Sequence, residues 1–421
     1  MSDRAKPGAV SPGPVEVVVD PATTATALAF VAGGIALGTA SGLTPGLHAN
    51  NFALLLAAVA GLLPGPPRYV GAAMLAAGVV HTFLDVVPAL ALGVPDPAMA
   101  ATALPGHRLV LQGRGREALR LSALGSALAV AFAVPLAFPV TAAMERTYPT
   151  IRAHLPLVLG AVAVGLVVTE RSARGRLGAV LALAASGALG LATLDLPAGG
   201  LLPSGGMLAP LFAGLFGAPV LIEALGGEGV PPQADARVTT SGRFVGGVAL
   251  VGTVAGAVVG FLPGISSAIA ATGALVVLPS RGPRAFVVAT SGVNTANTVF
   301  ALVALVVFGT PRTGVLVALD GAGVPLDLPL LLAAVALAAA VAFLFVLAVG
   351  DWYLAAVGTV DNTRLSLAVL SVLCLLVAAL TGLPGLVVFA ASATIGLVPA
   401  RFGTRRATLM GVLLVPLALG G

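Results

Sequence analysis

The stretch SGLTPGLHANNFALLLAA at residues 41–58 has a counterpart near the other end of the chain, VGFLPGISSAIAATGALV at residues 259–276. Each stretch carries a Pro-Gly pair, Pro45-Gly46 in the first and Pro263-Gly264 in the second, within otherwise apolar sequence. Proline lacks a backbone donor and glycine adopts conformations closed to other residues, so each pair predicts a helix broken into two halves. Broken helices at corresponding places in two halves of a membrane chain are typical of the binding sites of secondary transporters.

Composition places the chain in the membrane. Of its 421 residues 58% are hydrophobic and only 9% are charged, whereas soluble domains have roughly 25% charged residues. Apolar runs long enough to cross a hydrocarbon core of ~30 Å as helices recur from residue 24 to the end. The sequence therefore predicts an all-α polytopic membrane protein.

The net charge of +5 comes almost wholly from arginine, and Lys6 is the single lysine. The arginines lie in short clusters between apolar runs, as the positive-inside rule expects of cytoplasmic loops, so we exclude nucleic acid as a partner. Cys374 is the single cysteine and lies in an apolar run, which excludes a disulfide within the chain and a cysteine metal site. No ATP-binding or hydrolase motif is present, and we expect neither an enzyme nor a cofactor.

The apolar runs fall into two sets. We predict a polar N-terminal tail at 1–23, a first repeat at 24–225, a cytoplasmic linker at 226–243 and a second repeat at 244–421. Each repeat is a Pro-Gly-broken hairpin followed by about five transmembrane helices. The predicted apolar segments are 24–44, 46–63, 69–93, 117–138, 153–169, 178–194 and 207–225 in the first repeat, and 244–262, 264–279, 285–308, 328–349, 365–381, 385–399 and 407–420 in the second.

Charge alternation predicts the orientation. If the arginines of 170–176 are cytoplasmic, alternation places the loops 94–116, 226–243, 280–284 and 401–406 inside and the loops 139–152 and 195–206 outside. Both termini then lie outside the cell membrane, and the two halves have inverted topology. This parity is the same whether the hairpins are re-entrant or fully spanning, and we favour re-entrant hairpins because polar tips are useful where they meet something polar.

Polar residues flank both tips. After each Pro-Gly break, the next half-helix presents free N–H groups and a partial positive charge of roughly +0.5, which attracts an anion. Alternatively, the polar side chains only satisfy the freed backbone groups. The candidate substrate-binding residues at the tips are Thr44, Pro45, Gly46, His48, Asn50, Asn51, Pro263, Gly264, Ser266 and Ser267.

His81 and Asp85 share one face of the helix that follows the first hairpin, because they are four residues apart. An intramembrane aspartate costs about 2.5 to 3.5 kcal/mol on insertion scales and is therefore a functional candidate. Asp85 is expected to carry a proton, bind Na⁺ or pair with His81, and we assign both residues to ion coupling. A zinc site is excluded because the ligand count is too small.

The corresponding helix of the second half carries a polar stripe, which we predict contributes to the substrate site, although hydrogen bonding between helices would also explain it. Its members are Asn294, Thr295, Asn297 and Thr298. Between the first repeat's helices, Pro105, Gly106, His107 and Arg108 are candidates for an anion-binding turn, with His107 and Arg108 as the contacts. As an alternative, the arginines there are ordinary cytoplasmic charges.

With these motifs identified, the chain resembles the TctA family, the large membrane subunit of tripartite tricarboxylate transporters, and is most similar to its archaeal branch. The resemblance rests on GLTPGLHANN (42–51), HTFLDVVPALALGVPD (81–96), LPGHRLVLQGRGREALR (104–120), GFLPGISSAIAAT (260–272), SGVNTANTVFALVAL (291–305) and ATIGLVPARFGTRRATLMGVLLVP (393–416). It implies an ion-driven secondary transporter built of inverted repeats whose Pro-Gly loops bind a carboxylate. A small membrane subunit and an extracytoplasmic binding protein are implied partners.

We therefore expect an importer of an organic anion, a di- or tricarboxylate, coupled to a H⁺ or Na⁺ gradient by alternating access, with a homodimer as a further expectation. The alternative is a translocase of a polyprenyl-phosphate or other lipid phosphate, whose headgroup the same helix ends would bind. A membrane-embedded hydrolase or a structural scaffold is a third alternative, which no serine motif supports.

Overall fold

The computed structural model describes residues 20–45, 47, 49, 52–53, 56, 65–93, 103–201, 206–225, 230–235, 237–262, 267, 270–271, 273–274 and 282–420. In this part of the chain the regular secondary structure is helical, and eight helices are long and apolar enough to cross a membrane. The all-α polytopic fold class is confirmed.

The helices, in chain order, are α1 (Pro21–Gly42), α2 (Pro67–Leu84), α3 (Val86–Leu92), α4 (Ala103–Leu111), α5 (Gly115–Ala153), α6 (Leu155–Val168), α7 (Ala173–Thr193), α8 (Leu208–Ala224), α9 (Gly242–Phe261), α10 (Pro283–Phe308), α11 (Gly314–Gly321), α12 (Leu328–Gly358), α13 (Asn362–Gly396), α14 (Val398–Phe402) and α15 (Gly411–Ala418). A π-helical turn, Ala213–Gly217, lies within α8, and a 3₁₀ turn, Arg406–Met410, precedes α15.

Local sequence explains where several helices begin and break. Asp20 caps α1 by accepting from two backbone N–H groups of its first turn, so this helix begins before the predicted apolar segment. Asp85 separates α2 from α3, because Pro88 has no N–H to bond the Leu84 carbonyl. The predicted segments 365–381 and 385–399 lie on either side of a break at Gly382, whose φ of 68° and ψ of −160° are not helical, and α13 denotes the two helical parts together.

Two helix pairs pack in the same register. In each pair, three glycines spaced four apart on the first helix lie against residues spaced four apart on the second. On α1 and α2 the contacts are Gly34 with Ala73, Gly38 with Ala77 and Gly42 with His81. On α9 and α10 they are Gly252 with Ala289, Gly256 with Val293 and Gly260 with Asn297. A Cβ on Gly38 or on Gly256 would lie 2.8 Å from the Cβ of Val80 or Ala296, respectively. Residue numbers increase together in both pairs, so the helices of each pair run parallel. The chain therefore returns to its starting side between α1 and α2, and again between α9 and α10.

The two matched pairs run in opposite directions. The start of α5 lies at the start of α10, where Glu117 binds Arg284, and α4, just before α5, contacts the end of α3 through His107 and the Leu90 carbonyl. At the other end, Val315 of α11, shortly after α10, packs on Gly78 of α2. The start of α10 thus lies near the end of α2–α3, and the two helices are antiparallel.

The long helices are exchanged between the pairs. Helix α5, from the first half of the chain, packs on α10 with Gly125 against the Val288 backbone, and α12, from the second half, packs on α2. A stripe of small buried residues, Ala334, Ala338 and Ala342, marks one face of α12. These helices together form one large apolar core.

A second apolar core contains α6, α7, α8, the end of α13 and α15. Here too the packing is reciprocal between the halves. Gly411 of α15 lies against Leu183 and Ser186 of α7, and Gly214 of α8 lies against Phe389 and Ser392 of α13. Both halves of the chain thus contribute to both cores, and α8 and α13 have residues in each of them.

Contacts between loops join segments that the charge pattern placed on one side. Arg405 binds Glu170 at 2.8 Å and Arg406 binds Glu223 at 2.9 Å, which brings together the segments around 170, 223 and 405. On the side predicted to be outside, Arg312 hydrogen-bonds Tyr148 and stacks on its ring. The loops that contact each other are those that the alternation of loops across the membrane places on one side. Which side is the inside of the cell stays a prediction.

Candidate functional site

His81 is fully buried where the last turn of α1 meets α2. Its Nδ1 lies 2.9 Å from the Ser41 hydroxyl, and the ring of Phe52 stacks on the imidazole with the centroids 5.7 Å apart. Ser41 is four residues before Pro45, and Phe52 is seven residues after it. The fold therefore places His81 beside the first Pro-Gly tip.

Asp85 lies one turn further along, at the break between α2 and α3, and is 4% exposed. The side-chain amide of Asn294 on α10 donates to its Oδ2 over 2.9 Å. This bond joins the two halves of the chain near the middle of α10.

Buried hydroxyl groups continue the polar centre from α2 through α10 to α5. Thr82 and Thr295 lie 3.4 Å apart, and Thr295 donates to Ser126 over 2.9 Å. Ser126 in turn donates to the Ser291 carbonyl over 3.3 Å, and the hydroxyls of Ser291 and Ser122 are 2.7 Å apart. Thr295 is fully buried, so its hydroxyl positions α10 against α5.

The common register assigns counterparts in the two halves. Gly42 faces His81 and Asp85, and Gly260 faces Asn297 and Ala301 through the same backbone atoms. Asn297 is therefore the counterpart of His81, and Ala301 is the counterpart of Asp85. The two halves contribute different chemistry to this polar centre, because the first half supplies the ionisable side chains and the second supplies amides and hydroxyls.

The structure brings together a subset of the predicted site residues: His81 and Asp85 with Asn294 and Thr295. Asn294 and Thr298 are 5% and 6% exposed, and Asn297 is half-buried on the same helix. Sequence reasoning missed Ser41, Phe52, Ser122 and Ser126. The spacing of four between the two serines on α5 was a usable signal, since it places both hydroxyls on one helical face.

The tips are described only in part. Thr44 donates to the Ala40 carbonyl over 2.8 Å and is half-buried, as is Pro45, while Ser267 is 3% exposed. Phe261, at the end of α9, packs against Phe300 of α10. The remaining predicted tip residues, Gly46, His48, Asn50, Asn51, Pro263, Gly264 and Ser266, lie outside the described residues.

The predicted anion-binding turn at 105–108 is wrong, because these residues lie within helix α4. Pro105 is tolerated there because it falls in the first turn, whose N–H groups have no partner in the helix. His107 Nδ1 lies 2.6 Å from the Leu90 carbonyl at the end of α3, and burial lowers the pKa of His107 although this hydrogen bond opposes the shift. Arg108 is exposed. Anion contact by His107 and Arg108 stays a prediction.

Helices of membrane-spanning length around a buried polar centre define a multi-pass α-helical membrane protein of the transporter class. The comparison with known families specifies it further: residues 28–411 match the tripartite tricarboxylate transporter TctA family. The chain belongs to this family, as the sequence motifs predicted.

A relative in Methanocaldococcus jannaschii, itself described as an uncharacterized protein, is 28% identical over 398 residues, covering 92% of this chain and 96% of the relative. This similarity is consistent with the archaeal branch. No solved structure matches the chain.

Proposed function

We propose that the protein is an ion-coupled importer of an organic anion, a di- or tricarboxylate, that works by alternating access. The observation that carries the proposal is the bond between Asp85 and Asn294, which joins two helices of matched packing and opposite direction beside the first Pro-Gly tip. Family membership supports transport of a carboxylate. It does not favour the alternative of a lipid-phosphate translocase.

The inverted-repeat architecture is part of this proposal. It is supported by the equal register of α1–α2 and α9–α10, by their opposite directions and by the reciprocal packing in the second core. Two units related by a two-fold rotation axis contact each other through equivalent surfaces. A two-fold axis in the membrane plane would give the site equivalent routes to both sides.

Asp85 is the proposed coupling carboxylate. It is buried at a helix break, and the oxygen atoms of Thr82 and Thr295 lie on the same interface between α2 and α10. Carboxylate and hydroxyl oxygens suit Na⁺, and the carboxylate equally suits a proton, so the coupling ion is either H⁺ or Na⁺. The substrate carboxylates are proposed to bind the half-helix N-termini that follow the tips.

We also propose the partners that the family's tripartite organisation implies: a small membrane subunit and an extracytoplasmic binding protein that delivers the anion. Purified protein with and without such partners would show whether it transports alone. A homodimer stays a prediction of the sequence.

The test is uptake of radiolabelled di- and tricarboxylates into proteoliposomes under imposed H⁺ or Na⁺ gradients. We expect gradient-driven uptake of at least one carboxylate and a loss of this uptake in Asp85→Asn, because an amide can still accept from Asn294 but cannot ionise to bind a proton or Na⁺. Asp195→Asn, at an exposed loop residue, is the matched control and should transport normally. Normal uptake in Asp85→Asn, or no carboxylate uptake with or without partners, would contradict the proposal.

A further inference from the structure

His81 has two ring nitrogens, and the structure bears on which of them carries the proton when the ring is neutral. Ser41 Oγ lies 2.9 Å from His81 Nδ1 and 3.1 Å from the Gly38 carbonyl oxygen. A serine hydroxyl has one proton to donate, whereas it can accept through two lone pairs. A carbonyl oxygen only accepts, so the Gly38 contact requires that Ser41 donate its proton there.

With that proton directed to Gly38, Ser41 can only accept from His81. Both contacts are then satisfied when Nδ1 of His81 bears a hydrogen, and one of them is lost in the other tautomer. We propose that Ser41 is a positioning residue that holds neutral His81 as the Nδ1–H tautomer and leaves Nε2 as the nitrogen with the lone pair. The hydrogen bond at one ring nitrogen generally sets the chemistry of the other.

Phe52 restrains the same ring. Its side chain is 6% exposed and stacks on the imidazole with 10° between the ring planes. This contact holds the plane of the ring, while Ser41 fixes its rotation and its tautomer. Ser41 and Phe52 flank the first Pro-Gly pair in the sequence, so the state of His81 depends on contacts with both sides of that pair.

The corresponding positions in the second half of the chain carry different residue types. In the common register, Val259 stands where Ser41 stands, Ala270 where Phe52 stands and Asn297 where His81 stands. Because the helix packing is otherwise the same, packing alone does not require a hydroxyl at this position. The serine, the aromatic ring and the histidine occur together, which indicates a role for the imidazole itself.

The consequence for transport rests on the proposed function. Any proton taken up by His81, and any hydrogen bond it accepts from a ligand, must then use Nε2. Ser41 does not contact the ligand in this scheme and acts through His81. Its removal should change how the imidazole is presented without removing a binding group.

The test is solid-state ¹⁵N NMR of histidine-labelled protein in proteoliposomes, which is practical because the chain has 4 histidines. His81→Gln assigns the His81 signals, and the unprotonated nitrogen of a neutral imidazole resonates well downfield of the protonated one. We expect protonated Nδ1 in the wild type, loss of that single tautomer in Ser41→Ala, and its recovery in Ser41→Thr. Ser186→Ala is the control, because Ser186 is buried and donates to the carbonyl three residues earlier in α7.

Uptake is measured on the same variants. Ser41→Ala should lose about 2- to 10-fold in uptake, the effect of one hydrogen bond of 0.5 to 1.5 kcal/mol, and Ser41→Thr should recover it. A protonated Nε2 in wild-type His81, an unchanged tautomer in Ser41→Ala, or normal uptake after the tautomer is lost would each overturn the inference. The wild-type spectrum alone shows which nitrogen of His81 is protonated, even if Ser41→Ala does not fold. It also requires no transport, so failure of the proposed function would be recognised separately.

Discussion

The side-chain amide of Asn294 donates a 2.9 Å hydrogen bond to the carboxylate of Asp85, across 209 residues of chain. An amide N–H can donate only to an acceptor, so the bond fixes the orientation of the Asn294 side chain as well as its position. The two helices that carry these residues run in opposite directions and contact each other at this level. The pair is therefore the natural place to test how the two halves of the chain are coupled.

Exchanging the carboxyl group of Asp85 and the amide of Asn294 tests whether the pair needs only one carboxyl group and one amide, or needs the carboxyl group on α2. Asn294→Asp places a second carboxyl group 2.9 Å from Asp85, and two carboxyl groups that share a buried site cannot both be ionised, so folding must be coupled to keeping a proton on one of them. We expect this variant to lose several degrees in melting temperature and to lose uptake. The double variant Asp85→Asn with Asn294→Asp restores one carboxylate and one amide and should recover most of the stability.

Melting curves in detergent and uptake in proteoliposomes check this prediction. Recovery of stability without uptake would mean that the carboxylate must stand on α2. If the double variant is no more stable than Asn294→Asp, the two side chains are not coupled as the structure requires.

The matched glycines should be sensitive to any added side chain. A Cβ on Gly256 would lie 2.8 Å from the Ala296 Cβ, whereas a Cβ on Gly246 of the same helix meets nothing within 4 Å. We expect Gly256→Ala to destabilise the protein by about 1 to 3 kcal/mol through overpacking. Gly246→Ala should be neutral or stabilise it by up to about 1 kcal/mol through helix propensity.

The same comparison applies to α1, where Gly38 faces Ala77 and Gly33 meets nothing within 4 Å. In melting curves recorded in detergent, we expect Gly38→Ala to be destabilised, as predicted for Gly256→Ala, and Gly33→Ala to be neutral or slightly stabilised, as predicted for Gly246→Ala. Equal stability of the two α1 variants would show that α1 and α2 do not pack as closely as described.

Glu170 should make stability depend on acid pH. Burial alone raises the pKa of Glu170, but the hydrogen bonds from the Arg405 side chain and backbone and the charge of Arg405 oppose burial, and the pKa lies below its ordinary value of 4.5. A carboxylate with a lowered folded-state pKa stabilises the fold above its unfolded-state pKa, and this contribution disappears as pH falls through the folded-state value. We expect wild type to exceed Glu170→Gln in stability at pH 7 and the difference to shrink below about pH 4.5.

The size of this effect is limited by solvent, since the Arg405 side chain is 36% exposed, and we expect about 1 kcal/mol. Thermal melting of wild type and Glu170→Gln at several pH values measures it. Glu145→Gln, at an exposed position, is the control. A difference that grows on acidification would have the wrong sign for this ion pair.

The exchanged packing of α5 on α10 can be tested by crosslinking. Ser122 and Ser291 have hydroxyl oxygens 2.7 Å apart, close enough for cysteines at these positions to form a disulfide with small adjustments. In a Cys374→Ser background, Ser122→Cys with Ser291→Cys should crosslink on mild oxidation. Ser122→Cys with Ser186→Cys, whose second position lies on α7 in the other core, should not, as judged by peptide mapping after proteolysis.

Much of the fold was readable from the sequence because its determinants are local. Apolar runs set the helices, and the spacing of four between Gly252, Gly256 and Gly260 marked a face for close packing, whereas the two hairpins at the Pro-Gly pairs stay a prediction because most residues of the second arm of each lie outside the described part of the chain. The length of α5 was misjudged, since Pro135 and Pro139 lie inside α5 without ending it, whereas the gap predicted between residues 381 and 385 coincides with the non-helical Gly382 of α13. Surrounding helices compensate for lost backbone hydrogen bonds in such places.

The candidate site was readable only as separate motifs. His81, Asp85, Asn294 and Thr295 were recognisable because polar residues are costly in apolar helices, and this cost is a property of each residue alone. Their partners were not recognisable, because the pairing of Asp85 with Asn294 and of Thr295 with Ser126 depends on which helices are neighbours.

By itself, then, the sequence determined that this is a helical membrane protein with a few polar residues placed at a cost inside apolar helices, and it predicted two similar halves with one broken helix in each. The tertiary structure decided that α5 and α12 are exchanged between the halves, that Ser41 and Phe52 enclose His81, and that Asn294 meets Asp85. The physical reason is range: hydropathy and backbone preference act over a few residues, whereas Asp85 and Asn294, for example, are 209 positions apart, and only packing brings such residues together.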